Sequence, residues 1–176
     1  MKRINTWMLA EGGICIALFM ALKQVRLFEM PMGGSITAGA MVPLLLFAYR
    51  WGGKNGILVG AIAGVLDFIL GVKYSFHPVS LLFDYPIAYG FLGIAGFFGK
   101  SRIGMVSGSL LGVLGRFACH VLSGVVVFYS YAGDQNVLLY SMAYNGTFLL
   151  PEFIISMVIL IPLLHIKLPQ PRRTGG

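Results

Sequence analysis

The chain has 176 residues, of which 57% are hydrophobic and 11% charged, with a formal net charge of +7. A soluble domain is about half apolar and about a quarter charged, so the polar side chains here are too few to cover a water-facing surface. This excludes an ordinary soluble domain and a disordered chain, and the basic residues are scattered between apolar runs instead of clustering as a nucleic-acid-binding face.

What remains is an all-α integral membrane protein. A spanning helix needs about 20 apolar residues, so the length holds about five to seven spans and no sizeable soluble domain. In chain order the apolar runs predict six helices: Thr6–Lys23, Ser35–Tyr49, Asn55–Val72, Val79–Phe98, Ile103–Tyr129 and Ser141–His165. Residues 1–176 then form one transmembrane domain. The first helix carries Gly13, Ala17 and Ala21 on one face. Internal packing is the favoured reading of this small-residue stripe, and docking of a partner helix is the other. The second run is short and contains Pro43, which predicts a tilt or kink. Gly56, Gly60 and Gly64 in the third helix, and Gly104, Gly108, Gly112 and Gly115 in the fifth, form rows along which backbones can approach closely. Pro86 frees backbone groups in the fourth. Tyr131 to Asn136 reads Y-A-G-D-Q-N, a loop signal. The runs lack the period-two alternation of a membrane barrel.

Basic residues predict the orientation. Lys2, Arg3, Arg50, Lys54, Lys100, Arg102, Lys167, Arg172 and Arg173 fall on one side; Lys23, Arg26 and Lys73 fall on the other. The bias predicts cytoplasmic termini. Cys15 and Cys119 both lie in apolar runs and read as small buried hydrophobes. No signal-peptide cleavage site follows the first run. The chain carries no phosphate-binding loop, no H-E-x-x-H and no G-x-S-x-G. Asn145-Gly146-Thr147 matches a glycosylation sequon at a span end, His77 reads as a loop residue and His165 as interfacial.

Ionisable groups at membrane depth are costly and face a cavity or a partner. The candidates are Glu11, Asp67, Asp84, Arg116, His120 and Glu152. Asp67 reads as a cap or an ion-pair partner. For Arg116, snorkelling or a structural role stands level with a functional one. Glu152, after Pro151, reads as pairing with a neighbouring helix more readily than as a ligand contact. Asp84 is distinguished by its company. Tyr85 and Tyr89 are four apart and share a face, as do Tyr140 and Tyr144. His120, Ser123 and Gly124 lie on one face that Phe128 continues, and Asn145 follows Tyr144. A carboxylate, an imidazole, an amide and several aromatics at neighbouring helix ends suit a small, flat, cationic heterocycle. The same groups would equally well knit the helices together.

Four segments extend the reading. P-M-G-G-S-I-T at 31–37, L-L-F-D-Y-P-I-A at 81–88, R-F-A-C-H-V-L-S-G-V-V-V-F-Y-S-Y-A at 116–132 and L-Y-S-M-A-Y-N-G-T-F-L-L-P-E at 139–152 resemble the thiamine-specific S-component family of energy-coupling factor (ECF) transporters. The resemblance covers nearly the whole chain. It implies a multi-pass protein of the bacterial cell membrane that binds thiamine from outside without covalent chemistry or a cofactor. A transmembrane coupling protein and two ATPases would complete the transporter. By position the resemblance implies that Asp84 is the acidic thiamine contact, followed by Tyr85. Tyr74 matches a lid-side tyrosine, His120 the pocket histidine and Arg116 the basic residue before it. Phe128 stands where a stacking tryptophan is common, and Tyr140 and Asn145 match contacts on the last helix. Gly124 and Tyr144 share these faces and join the expected site. Ala17 and Ala21 match the motif that meets the coupling protein, and Phe28 to Ser35 match a lid. The lid's aromatic residue has no equivalent, since Gly33 and Gly34 stand there. The shorter Asp84 and smaller Phe128 are expected to lower affinity or widen selectivity.

Three rivals follow from the same residues: an S-component for riboflavin or a pyrimidine precursor such as hydroxymethylpyrimidine, a small membrane enzyme, or an assembly protein whose polar groups only connect helices.

Overall fold

The computed structural model describes residues 5–31, 34–99 and 101–163. Lys2, Arg3, Gly33, Lys100, His165, Lys167, Arg172 and Arg173, named above, lie outside these.

The chain forms α1 (Thr6–Gln24), β1 (Arg26–Glu29), β2 (Ser35–Thr37), α2 (Met41–Trp51), α3 (Gly53–Leu70), α4 (Pro78–Phe83), α5 (Pro86–Leu92), a 3-10 turn (Gly93–Phe97), α6 (Arg102–Val127), a second 3-10 turn (Tyr129–Ala132) and α7 (Val137–Leu163). Among the described residues, five stretches are long and apolar enough to cross a membrane: Thr6–Gln24, Gly53–Leu70, Pro78–Phe97, Arg102–Val127 and Val137–Leu163. The protein is thus a helical membrane protein. Helices suit that solvent because each satisfies its own backbone groups.

The second expected span needs correction. Its first residues, Ser35–Thr37, are strand β2, and the helix begins only at Met41. The β-branched Ile36 and Thr37 pair with β1 in an antiparallel hairpin, Phe28 opposite Ile36 and Glu29 opposite Ser35. Gly39, at φ +88°, then turns the chain into α2. Pro43 therefore falls in the first helical turn, where no intrahelical hydrogen bond is lost. The 11 residues of α2 are fewer than a span requires.

The fourth run is broken as well. α4 ends at Phe83 with Asp84 as its C-cap, and α5 restarts with Pro86 in its first turn. Pro86 supplies no N–H and disfavours helical geometry at Tyr85, whose backbone sits at φ −118°, ψ −91°.

The glycine rows are packing seams. A Cβ on Gly64 would stand 2.8 Å from Pro86 Cα, and one on Gly60 would stand 2.9 Å from the Tyr89 carbonyl carbon. Only glycine lets α3 lie this close to the broken helix pair. On α6, Gly108 meets Ala95, and Gly112 and Gly115 meet Phe91 and Leu92. A core of Phe19, Met41, Leu44, Leu45, Tyr89, Leu92, Met105 and Leu160 ties the helices together. Cys15 and Cys119 are buried free thiols.

The first-helix stripe does not pack internally, contrary to the reading favoured by the residues without the resemblance. Ala17 and Ala21 are exposed, and a Cβ on Gly13 would meet nothing within 4 Å. The buried face of α1 is Gly12, Cys15 and Phe19 instead.

Candidate functional site

The break after α4 has a direct consequence. Asp84 leaves the helix axis and projects toward α6, where its carboxylate collects three donors. Ser80 Oγ, one turn earlier, donates to Oδ2 at 2.6 Å. Ser123 Oγ donates to the same oxygen at 2.6 Å. His120 Nδ1 lies 2.8 Å from Oδ1. Arg116 Nε, one turn before His120 on α6, donates to His120 Nε2 at 3.3 Å. An accepting Nε2 carries no proton, so the network assigns the proton to Nδ1, which donates it to Asp84. His120 is then neutral.

Asp84 and His120 sit on the wall of a cavity of about 670 Å³, within the range of small-molecule sites. All ten residues predicted for the pocket line this one cavity: Tyr74, Asp84, Tyr85, Arg116, His120, Gly124, Phe128, Tyr140, Tyr144 and Asn145. Helical spacing explains the α7 contribution. Tyr140, Tyr144 and Phe148 follow one another at four-residue intervals. The first two rings are near-parallel at 13° with centroids 6.4 Å apart, and Phe148 meets Tyr144 edge-on at 5.9 Å. Asn145 is oriented by its own helix, donating from Nδ2 to the Ser141 carbonyl at 2.9 Å. On α6 a Cβ at Gly124 would run into Ser141, so glycine lets α7 approach the pocket wall. Phe128 caps α6 and pairs with Tyr131, centroids 6.2 Å apart. Tyr85 turns its hydroxyl to the Val72 carbonyl at 3.4 Å.

Several lining residues escaped the sequence reading. Lys23 is only an orientation charge at the end of the first predicted span, but it lines the cavity and forms an ion pair with Asp67. Asp67 is thus an ion-pair partner and not a cap, and it is almost fully buried. Ser80 and Phe148 were accessible signals, since each lies four residues from a predicted contact. Glu152 does not reach the main cavity. It lies beneath it, 3.6 Å from Arg116, and accepts from the Thr37 backbone N–H at 3.0 Å and from the Thr37 hydroxyl.

The hairpin closes one side of the cavity. Glu29, Met30, Pro31, Gly34 and Ser35 all line it, and the Gly34 N–H donates to the Tyr144 hydroxyl at 2.8 Å.

Electrostatically the site is asymmetric. Lys23 is matched by Asp67, Arg116 by Glu152, and Glu29 by Arg26 at 2.5 Å. Asp84 meets two hydroxyls and a neutral imidazole, so its negative charge is hydrogen-bonded but not cancelled. An uncancelled carboxylate among aromatic faces favours a cation.

The profile of the family described as "Thiamine transporter protein (Thia_YuaJ)" matches residues 9–171. The chain belongs to this family. It is 35% identical over 158 residues to the thiamine transporter ThiT of Bacillus subtilis (strain 168), covering 82% of each chain. It is 28% identical over 147 residues to the thiamine transporter ThiT of Lacticaseibacillus paracasei (strain ATCC 334), covering 74% of this chain and 73% of that one. Family membership makes the chain a transporter protein and turns the cavity between α4, α6, α7 and the hairpin into the natural place to look for cargo.

Proposed function

We propose that this chain binds thiamine in the cavity beside Asp84 and serves as the S-component of an ECF transporter. The observation that carries the reading is the Asp84 carboxylate, held by Ser80, Ser123 and His120 yet left with its charge, on the wall of an aromatic cavity. Thiamine has a permanently cationic thiazolium ring and a flat aminopyrimidine. Asp84 balances the charge or receives the aminopyrimidine, His120 and Asn145 orient the ligand, and Phe128 and the Tyr140–Tyr144 pair stack on its rings. Tyr74, Tyr85, Arg116 and Gly124 complete the wall.

β2 and α2, in series, make the sixth crossing that α2 is too short to make alone, and both termini face the cytoplasm. The chain performs no covalent chemistry. A transmembrane coupling protein and two ATPases supply the energy, and the exposed face of Ala17 and Ala21 is where the coupling protein docks. The setting is the cell membrane of a bacterium.

Titrating the purified protein with thiamine by calorimetry tests the binding claim. Saturable binding with one thiamine per chain is expected. No heat or saturation at micromolar thiamine overturns it, and binding of riboflavin or hydroxymethylpyrimidine instead of thiamine reassigns the cargo.

A further inference from the structure

Glu152 touches no part of the main cavity, yet it joins two things that do. On one side it pairs with Arg116, whose Nε holds His120 Nε2, whose Nδ1 holds Asp84. On the other it accepts both the backbone N–H and the hydroxyl of Thr37, the last residue of the hairpin. All three central members are buried: Thr37 is 3% exposed, Glu152 4% and Arg116 7%. The Thr37 hydroxyl also accepts from the Ala40 N–H at 3.1 Å, which fixes its orientation toward Glu152. Thus α7 supplies one carboxylate that fastens the hairpin to the same hydrogen-bonded chain that positions Asp84.

We infer that Glu152 is a positioning residue for the transported ligand, latching the hairpin over the cavity through Thr37 and holding the Arg116–His120–Asp84 chain in register. The inference rests on the thiamine reading of the cavity. Its sign follows from the lining. Met30, Pro31, Gly34 and Ser35 contact the cavity, so a ligand gains those contacts only while the hairpin is fastened. A filled cavity also excludes water from the Arg116–Glu152 pair and strengthens it. Ligand and latch therefore stabilise each other, and this coupling is reciprocal.

Three variants separate the latch from the pocket. Glu152→Gln keeps the shape but removes the charge facing Arg116. Thr37→Val removes the hydroxyl from a residue that does not line the main cavity. Thr37→Ser keeps the hydroxyl. Thiamine association and dissociation would be followed on purified, monodisperse protein with radiolabelled ligand. Dissociation is expected to quicken about tenfold in Glu152→Gln and in Thr37→Val, within the range of typical coupling. Association should change little, Thr37→Ser should release thiamine like wild type, and the double variant should be no worse than the stronger single one. In hydrogen exchange, thiamine should protect the Thr37 amide in wild type and protect it less in Glu152→Gln, whose neutral oxygen is a weaker acceptor for Thr37 and whose amide no longer pairs with Arg116. If wild type binds thiamine but the variants release it at the wild-type rate, or Thr37 is protected as strongly in Glu152→Gln as in wild type, the latch is wrong. If wild type itself binds no thiamine, it is the reading of the cavity that fails.

Discussion

Asp84 and His120, 36 residues apart in sequence, stand 2.8 Å apart between the broken fourth run and α6. The relationship depends on Pro86, which stops α4 so that Asp84 caps it, and on Arg116, whose donation to Nε2 leaves the Nδ1 proton for the carboxylate. An acceptor-only group is thereby surrounded by donors without being neutralised.

Replacing Asp84 by Asn tests that arrangement. The amide would turn an N–H₂ toward donors already supplied by Ser80, Ser123 and His120 and would remove the charge. Thiamine affinity measured by calorimetry should fall about ten- to a hundredfold, the range for a hydrogen bond to a charged group. Unchanged affinity would mean that Asp84 knits helices and nothing more.

The Lys23–Asp67 pair is a structural element in the pocket wall. Lys23→Met would leave Asp67, 2% exposed, as an unpaired buried carboxylate. Breaking such a pair costs about 3–5 kcal/mol. Thermal unfolding in detergent should show a marked loss that Lys23→Met with Asp67→Asn largely restores. Equal stability of both variants would argue against the pairing.

Gly64 predicts a coupling between helix packing and the site. Gly64→Ala would press a methyl group against Tyr85 and Pro86, the residues next to Asp84. Overpacking of this kind costs about 1–3 kcal/mol, and displacement of Tyr85 should also weaken thiamine binding. Gly13→Ala, which meets open space, is the matched control and should change neither.

The exposed face of α1 offers a test of whether binding and transport can be separated. Ala17→Trp with Ala21→Trp adds bulk where no internal neighbour is disturbed. Thiamine binding by the purified subunit should stay at the wild-type level while uptake into cells is lost. Loss of both would place the stripe in internal contacts instead.

Membrane residence and the faces of the long helices were legible from the order of residues, because both are local properties. A long apolar run must satisfy its own backbone groups in a bilayer, so it is helical through most of its length. Residues four apart then share a face in any packing, so the order of residues alone puts Tyr140 with Tyr144, and His120 with Gly124. The hairpin was not legible. Ser35–Thr37 continue an apolar run, and only pairing with Arg26–Glu29 makes them strand. The same holds for which way α1 turns Ala17 and Ala21, since a helical period gives a face but not what that face meets.

By itself the sequence determined that the chain is a helical membrane protein and what chemistry a site could use. Tertiary structure alone decided which charges meet: Lys23 with Asp67 across 44 residues, and Thr37 with Glu152 across 115. The physical reason is that a desolvated charge takes whatever partner packing brings within reach, and that distance is set by helix approach, not by position along the chain.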